Sequence, residues 1–437
     1  MLLEFRLRNF RSFRDEQTFT LIAEDKEESH SISIPGSDED SALRTVAVYG
    51  PNASGKTNLL LALRAMQQVV VNSATATQRG DQIEPVYPFR LNEESRNSPT
   101  MFDITFVVEK EGDKVEFQYG FEATRDRVIE EWLYSYPHNR PRKYFTREYK
   151  NDKGDYEFGF GDYFKGQKKQ IAEATRPNAL YLSTAAQLNN KSIAPVFDWF
   201  RNSIQYLAGR DVRSQLTERL CEDDSVRQVV VDLLKAADVG IRDLHVEEGS
   251  VDVSEVPSGL LDFLEESGQR EKFEEDMSRI VHFQHSDDST KEELLSLQEE
   301  SRGTRQYFSL LGPVMNSLGG GQVLLIDELD SSLHPLMVEE VIRLFNDPET
   351  NPNGAQLIFN LHDTSPFDKD IINRDQIWIT EKFPEGNSEL IALLEYSPRE
   401  NEAMEKKYRE GKYGGIPIPR IVKKAKEIDH ATSPSDA

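Results

Sequence analysis

Gly50-Pro51-Asn52-Ala53-Ser54-Gly55-Lys56-Thr57 fits G-x-x-x-x-G-K-[ST] at every defined position, and its surroundings fit as well. Before it, Thr45 to Tyr49 (TVAVY) is a short β-branched run that predicts a strand. After it, Asn58 to Val71 (NLLLALRAMQQVVV) carries apolar residues at three- and four-residue spacing with no Gly or Pro, which predicts a helix. By average residue frequencies the pattern alone arises on the order of once in a hundred chains of this length. Its glycines let the backbone turn so that successive N–H groups converge on phosphate oxygens, and the helix adds the positive end of its dipole. Gly50 to Asn58 are therefore the candidate ATP-binding residues. Lys56 would reach the β- and γ-phosphates and the Thr57 hydroxyl would ligate Mg²⁺, so ATP and Mg²⁺ are the expected ligands.

Phosphoryl transfer to water also needs carboxylates. Val323 to Ile326 is a buried-strand run ending in Asp327 and Glu328, where an open α/β sheet puts its ligand edge. Neighbours on a strand point to opposite faces, so the two can divide the work. Asp327 is expected to hold Mg²⁺, directly or through water, opposite Thr57; Glu328 is expected to orient and deprotonate the attacking water. Gln356 to Leu361 then delivers His362 at the end of the next strand, placed to bond the γ-phosphate and report hydrolysis. Lys56, Glu328 and His362 are the candidate catalytic residues.

The chain has 437 residues, 37% of them hydrophobic, enough for sizeable cores and two or three domains. Lys and Arg number 52 against 77 Asp and Glu, a net charge of -25 that excludes a dispersed basic coat for DNA or anionic lipid. Cys221 is the only cysteine, which excludes an intrachain disulfide framework and a Cys-based zinc cluster and fits a reducing, cytoplasmic setting. The opening MLLEFRLRNFRSF has no signal-peptide core, and no run reaches 18 apolar residues, so no membrane role is expected. His282 and His285 alternate as on a strand with no Cys nearby, which predicts packing or surface and not a metal.

Lys56 and Asp327 lie 271 residues apart, too far for a simple nucleotide domain, so a large insertion separates them. Four aromatic and β-branched runs between 101 and 149 predict an antiparallel meander. From Ala185 to Ala237 helical periodicity returns, as in IAPVFDWFRNSIQYL and SVRQVVVDLLKAADV. Residues 247–300 carry 17 acidic and 4 basic side chains, read as a solvated surface or, alternatively, an acidic dock for a basic partner. After Gln322, strand and helix alternate, predicting a parallel sheet. The expected layout is the first part of an ATPase head (1–90), a β meander (91–180), a helical insertion with the acidic segment (181–294), the second part of the head (295–400) and a charged tail (401–437). The expected fold class is α/β, a phosphate-loop NTPase of ABC type with an antiparallel β extension and a helical insertion between its two motifs.

FRLRNFRSF, GPNASGKTNLL, EESRGT, LLIDELDSSLHP and the histidine of LHD together resemble the RecF/SMC-like branch of ABC-type ATPases. More narrowly, the chain is similar to the RloA-like AAA-type ATP-binding proteins of bacterial restriction and anti-phage defence loci, over nearly its whole length including EKKYREGKYGGIPIP. The resemblance implies a head whose bound ATP is completed by a second subunit, in a homodimer or higher homo-oligomer. Ser301, Gly303 and Thr304 match the signature that would act in trans, and Asp330 falls where the family's D-loop crosses the dimer interface. The signature reads ESRGT and not Leu-Ser-Gly-Gly-Gln, so transporter function is not implied, and Asn360, two residues before His362, would also suit an AAA+ sensor. Gln67, Gln68 and Gln82 are candidates for the Q-loop glutamine.

The implied function is regulation of a partner effector, a nuclease encoded nearby, with DNA or a phage protein as trigger. No nuclease constellation stands in the chain itself. A RecF-like DNA-repair clamp and a scaffold with structural, non-hydrolysed ATP are the alternatives. Two places suit macromolecular contact: residues 138–169, with nine Lys/Arg, five Asp/Glu and eight Tyr/Phe, and the cluster Lys406, Lys407, Arg409, Lys412 with Tyr413.

Overall fold

The structure, a computed structural model, describes residues 1–416 apart from 25–29, 36, 38–39, 111, 138–139, 151, 153, 210–211, 238–239, 250–257, 287–291, 368–370 and 399–402. The Ser-Pro-Ser-Asp tail and Pro417-Ile418-Pro419 lie outside the described residues.

Strands β1 (Leu2–Arg8) and β2 (Gln17–Thr20) form an antiparallel pair, followed by the hairpin β3 (Ser31–Ser33) and β4 (Ser41–Leu43). Then come β5 (Thr45–Tyr49), the phosphate loop and α1 (Lys56–Asn72). The short α2 (Glu93–Asn97) leads into β6 (Thr100–Lys110), β7 (Asp113–Ala123), β8 (Val128–Ser135), β9 (Arg142–Lys150) and β10 (Asp155–Phe160). Helices α3 (Lys168–Ala174), α4 (Tyr181–Gln187) and α5 (Ala194–Asn202) return the chain to β11 (Ile204–Ala208). Beyond lie α6 (Gln215–Leu220), α7 (Asp224–Ala236), β12 (Asp243–Glu248), α8 (Ser258–Glu266), α9 (Arg270–Ser278), β13 (Arg279–Ser286) and β14 (Glu292–Ser296). The last third alternates as α10 (Arg302–Gly320), β15 (Val323–Asp327), α11 (Pro335–Asn346), β16 (Gln356–Asn360), β17 (Ile377–Lys382) and β18 (Ser388–Ala392), and ends in α12 (Met404–Arg409).

Six strands in the order β11-β15-β16-β5-β17-β18 make the central sheet, parallel except for β18. Its strands are apolar on both faces because both faces are covered. Val46 and Val48 of β5 point into a core shared with α1 and the second sheet, whereas Ala47 and Tyr49 point into a core shared with α10 and α11. The same division separates Val323 and Leu325 from Leu324 and Ile326 on β15. The second sheet is antiparallel, in the order β10-β9-β8-β7-β6-β1-β2. The fold is thus α/β, with the glycine-rich loop after a central strand of the parallel sheet and a second, antiparallel sheet sharing one of its cores.

Three expectations change. The meander acquires β10, and at its other edge β1, which pairs with β6 through Phe5↔Ile104 and Leu7↔Phe102. The segment read as helical through Leu207 stops being helix at Asn202; Ile204 to Ala208 is an edge strand beside β15. Apolar spacing over so short a run suits either state, and the open edge of β15 decides it. The insertion also holds a small sheet, β12-β13-β14, so it is not all helical.

Candidate functional site

The ends of β5, β15 and β16 meet at one edge of the central sheet. There Pro51 to Asn58 surround a cavity of about 490 Å³, which Glu328, Asn360 and His362 also line. Gly50 and Gly55 sit at φ 144° and 120°, conformations that residues with a β-carbon rarely adopt. Gly55 precedes α1, whose first turn carries no acidic side chain and no side-chain cap, leaving its N–H groups free for an anion.

Lys56 opens α1 and is buried, at 6% exposure; its Nζ donates to the carbonyls of Gly50 at 2.7 Å and Pro51 at 3.3 Å. Burial lowers its pKa, against the opposing pull of Asp330, Asp327 and Glu328. Thr57 Oγ1 donates to Asp327 Oδ1 at 2.9 Å. A hydroxyl and a carboxylate in contact beside a phosphate cradle are hard oxygen donors, and they fit Mg²⁺.

Glu328 is not the strand neighbour that the sequence predicts. Strand β15 ends at Asp327, and Glu328 lies beyond it with φ 56°, so a left-handed turn, and not strand alternation, aims it at the cavity. Asn360 is fully buried, and its side chain holds Asp327 and Glu328 together: Nδ2 donates to Asp327 Oδ1, and Oδ1 accepts the Glu328 N–H at 2.6 Å.

Asp330 follows the acid pair in the turn after β15. Its carboxylate turns back onto its own subunit and accepts the N–H groups of His362 at 2.8 Å and Asp363 at 3.0 Å. Ser301 caps α10, with Oγ accepting the Thr304 N–H at 3.1 Å, and Gly303 follows in the first turn. None of Ser301, Gly303 and Thr304 lines the phosphate-loop cavity of their own chain.

Of the three glutamines, none lines that cavity. Gln67 donates to the carbonyls of Phe200 and Ile204, tying α1 to β11, while Gln68 and Gln82 border a separate cleft beside Arg11 and Arg64. Two lining residues escaped the sequence reading: Lys382 at the end of β17, and Ser12, whose hydroxyl accepts from Asn58 at 2.8 Å. Ser12 belongs to the FRSF turn, a signal visible in sequence but without an address until β1 is docked.

The macromolecular patches also change. Between β9 and β10 the aromatics pack inward, Phe158 and Phe160 against Tyr181, and Arg147 is buried beneath Tyr156. Tyr413 is 0% exposed and packs on Tyr396 at 5.7 Å, so it cannot belong to a docking surface. His285 lies 2.6 Å from Glu300, and among the described residues no group of three metal-capable side chains occurs. Among the same residues no helix is long and apolar enough to cross a membrane.

The model of a protein family described as "AAA domain, putative AbiEii toxin, Type IV TA system" matches residues 46–365. No curated protein matches the sequence. Among solved structures, one described as "Crystal structure of the SmcHead bound to the C-winged helix domain of ScpA" is similar at 12% identity with a TM-score of 0.39, covering 89% of this chain and 96% of that chain.

Proposed function

The chain belongs to this AAA family, and from that premise we propose that it binds ATP with Mg²⁺ at Gly50 to Asn58 and hydrolyses it, slowly, as a regulatory switch. The observation that supports this most is the convergence of Lys56, Thr57, Glu328 and His362 on one small cavity, with Asp327 bonded to Thr57, although the first and last are 306 residues apart in sequence.

The loop N–H groups and Lys56 bind the phosphates; Thr57 and Asp327 are the side chains that would hold Mg²⁺, which would supply charge neutralisation on the phosphate oxygens. Glu328 accepts the proton of the attacking water as it adds to the γ-phosphorus, and the β–γ bridging bond breaks to give ADP and phosphate. His362 steadies the γ-phosphate, and Asp330 fixes the backbone of His362 for that task. The signature acts in trans: Ser301 and Gly303 open a 19-residue helix whose N-terminus lies outside its own cavity, free to face the phosphate held by a second subunit.

With the resemblance to the RloA-like branch, the switch is set by DNA or a phage protein and controls a partner nuclease in anti-phage defence. Purified protein is expected to release phosphate from Mg-ATP. Lys56→Ala should lose nucleotide binding, and Glu328→Gln should keep binding while turnover falls about a hundredfold or more. Wild-type turnover in Glu328→Gln would remove Glu328 as the base. A wild-type protein that binds ATP and releases no phosphate in a single-turnover assay would make the nucleotide structural.

A further inference from the structure

Asn360 is a fully buried polar side chain at the floor of the cavity, on a strand whose other members are apolar or structural. Nothing in phosphate binding or water activation requires it to touch the nucleotide, yet three hydrogen bonds commit it to the acidic turn. Its Nδ2 donates to Asp327 Oδ1, the same oxygen that accepts from Thr57. Its Oδ1 accepts the Glu328 N–H at 2.6 Å, and its main-chain carbonyl accepts the Leu329 N–H at 3.1 Å. The amide orientation is fixed by chemistry, because a carboxylate only accepts and an N–H only donates.

The turn it grips is under strain. Glu328 holds φ 56°, a left-handed conformation that a bulky side chain keeps only where surrounding bonds impose it. Asn360 bonds the amides of Glu328 and Leu329, and Ser331 N–H closes the turn on the Glu328 carbonyl at 2.9 Å. A carboxamide is the one side chain of this length that donates to a carboxylate and accepts from an amide at once. Leu would do neither, and Asp would accept only, while setting a like charge against Asp327.

Resting on the reading of this cavity as a hydrolytic ATP site, we propose that Asn360 is its positioning residue, orienting Asp327 toward the metal and fixing the Glu328 backbone so that its carboxylate faces the water. It acts through these two residues. Coupling of this kind makes one side chain responsible for both the Mg²⁺ response and the turnover rate.

The test uses the full chain with Asn360→Leu and the isosteric Asn360→Asp, with folding checked by circular dichroism and thermal melting. Affinity for the β,γ-imido analogue of ATP is measured by calorimetry in EDTA and in Mg²⁺, alongside kcat and KM for ATP. In EDTA Asn360→Leu should bind within about twofold of wild type, since the phosphate loop is untouched. In Asn360→Leu the gain in affinity on adding Mg²⁺ should shrink about tenfold and kcat should fall about a hundredfold with KM changed less than about threefold, as expected for lost bonds to charged and strained groups. Asn360→Asp keeps the acceptor for Glu328 and should fall between wild type and Asn360→Leu in kcat. A folded Asn360→Leu with the wild-type Mg²⁺ gain and kcat overturns the proposal; if that variant does not fold, wild-type kcat in Asn360→Asp overturns it instead. Failure of the underlying reading is seen separately, in wild-type protein that shows no Mg²⁺ gain or no turnover.

Discussion

A β-carbon at Gly50 would run into both the side chain and the carbonyl of Thr380 on β17, and the backbone there is at φ 144°. Neither obstacle is the loose end of a flexible side chain, because Thr380 is buried and its hydroxyl donates to the Tyr49 carbonyl at 3.2 Å. Gly50→Ala should therefore lower stability by about 1–3 kcal/mol and abolish ATP binding, read by urea unfolding and calorimetry. A variant with unchanged stability would mean that the loop relaxes around the added carbon. At this scale the sequence was informative wherever a motif dictates its own geometry, as in Gly55, Lys56 and Thr57. It was silent wherever a residue's meaning depends on what the fold brings alongside. Ser12 reaches the loop only because β1 docks on β6, and the Asp330 carboxylate finds its partners only where the amides after β16 are there to receive it. Tyr413 sits among charges in sequence, yet buries its ring against Tyr396.

Strands β8 and β9 are joined to α4 by a buried ion pair. Glu131 and Arg147 have no exposed side-chain surface and lie 3.5 Å apart. Glu131 accepts the N–H groups of Tyr181 at 2.7 Å and Leu182 at 2.9 Å, the opening of α4, while Arg147 donates to the carbonyls of Ala179 and Arg176. Burial raises the Glu131 pKa; the Arg147 charge and the amides of Leu182 and Tyr181 oppose the rise. Glu131→Ala strands the guanidinium and should cost about 3–5 kcal/mol in urea unfolding, whereas Glu131→Leu with Arg147→Leu should recover part of that loss. Equal losses in the single and double variants would show the pair to be uncoupled. Element types were legible where periodicity is long, as in α1 and the β meander. They were not legible for β11, whose five residues take their state from an unpaired neighbouring edge, nor for β1 as a partner of β6 across some 90 residues of chain.

For the whole molecule, the test of a composite site is mass. Light scattering of Glu328→Gln should show a doubling on adding Mg-ATP, and Ser301→Arg, at the N-terminus of α10, should prevent it while leaving ATP binding by the monomer intact. An assembly of the same mass with and without nucleotide would point to a standing scaffold. Doubling also brings together two copies that each carry a net charge of -25, so it should strengthen as salt rises toward 0.15 M, where screening falls to a length of about 8 Å. The order of the central sheet has a further consequence, for synthesis. Strand β5 carries the phosphate loop, yet its two neighbours, β16 and β17, begin at Gln356 and Ile377. While the ribosome is still making the first three quarters of the chain, the loop hangs from a strand that has neither of its sheet neighbours. Nucleotide capture thus arrives late and all at once, and a prematurely terminated product is a nascent chain for chaperones and proteases, not a half-working switch.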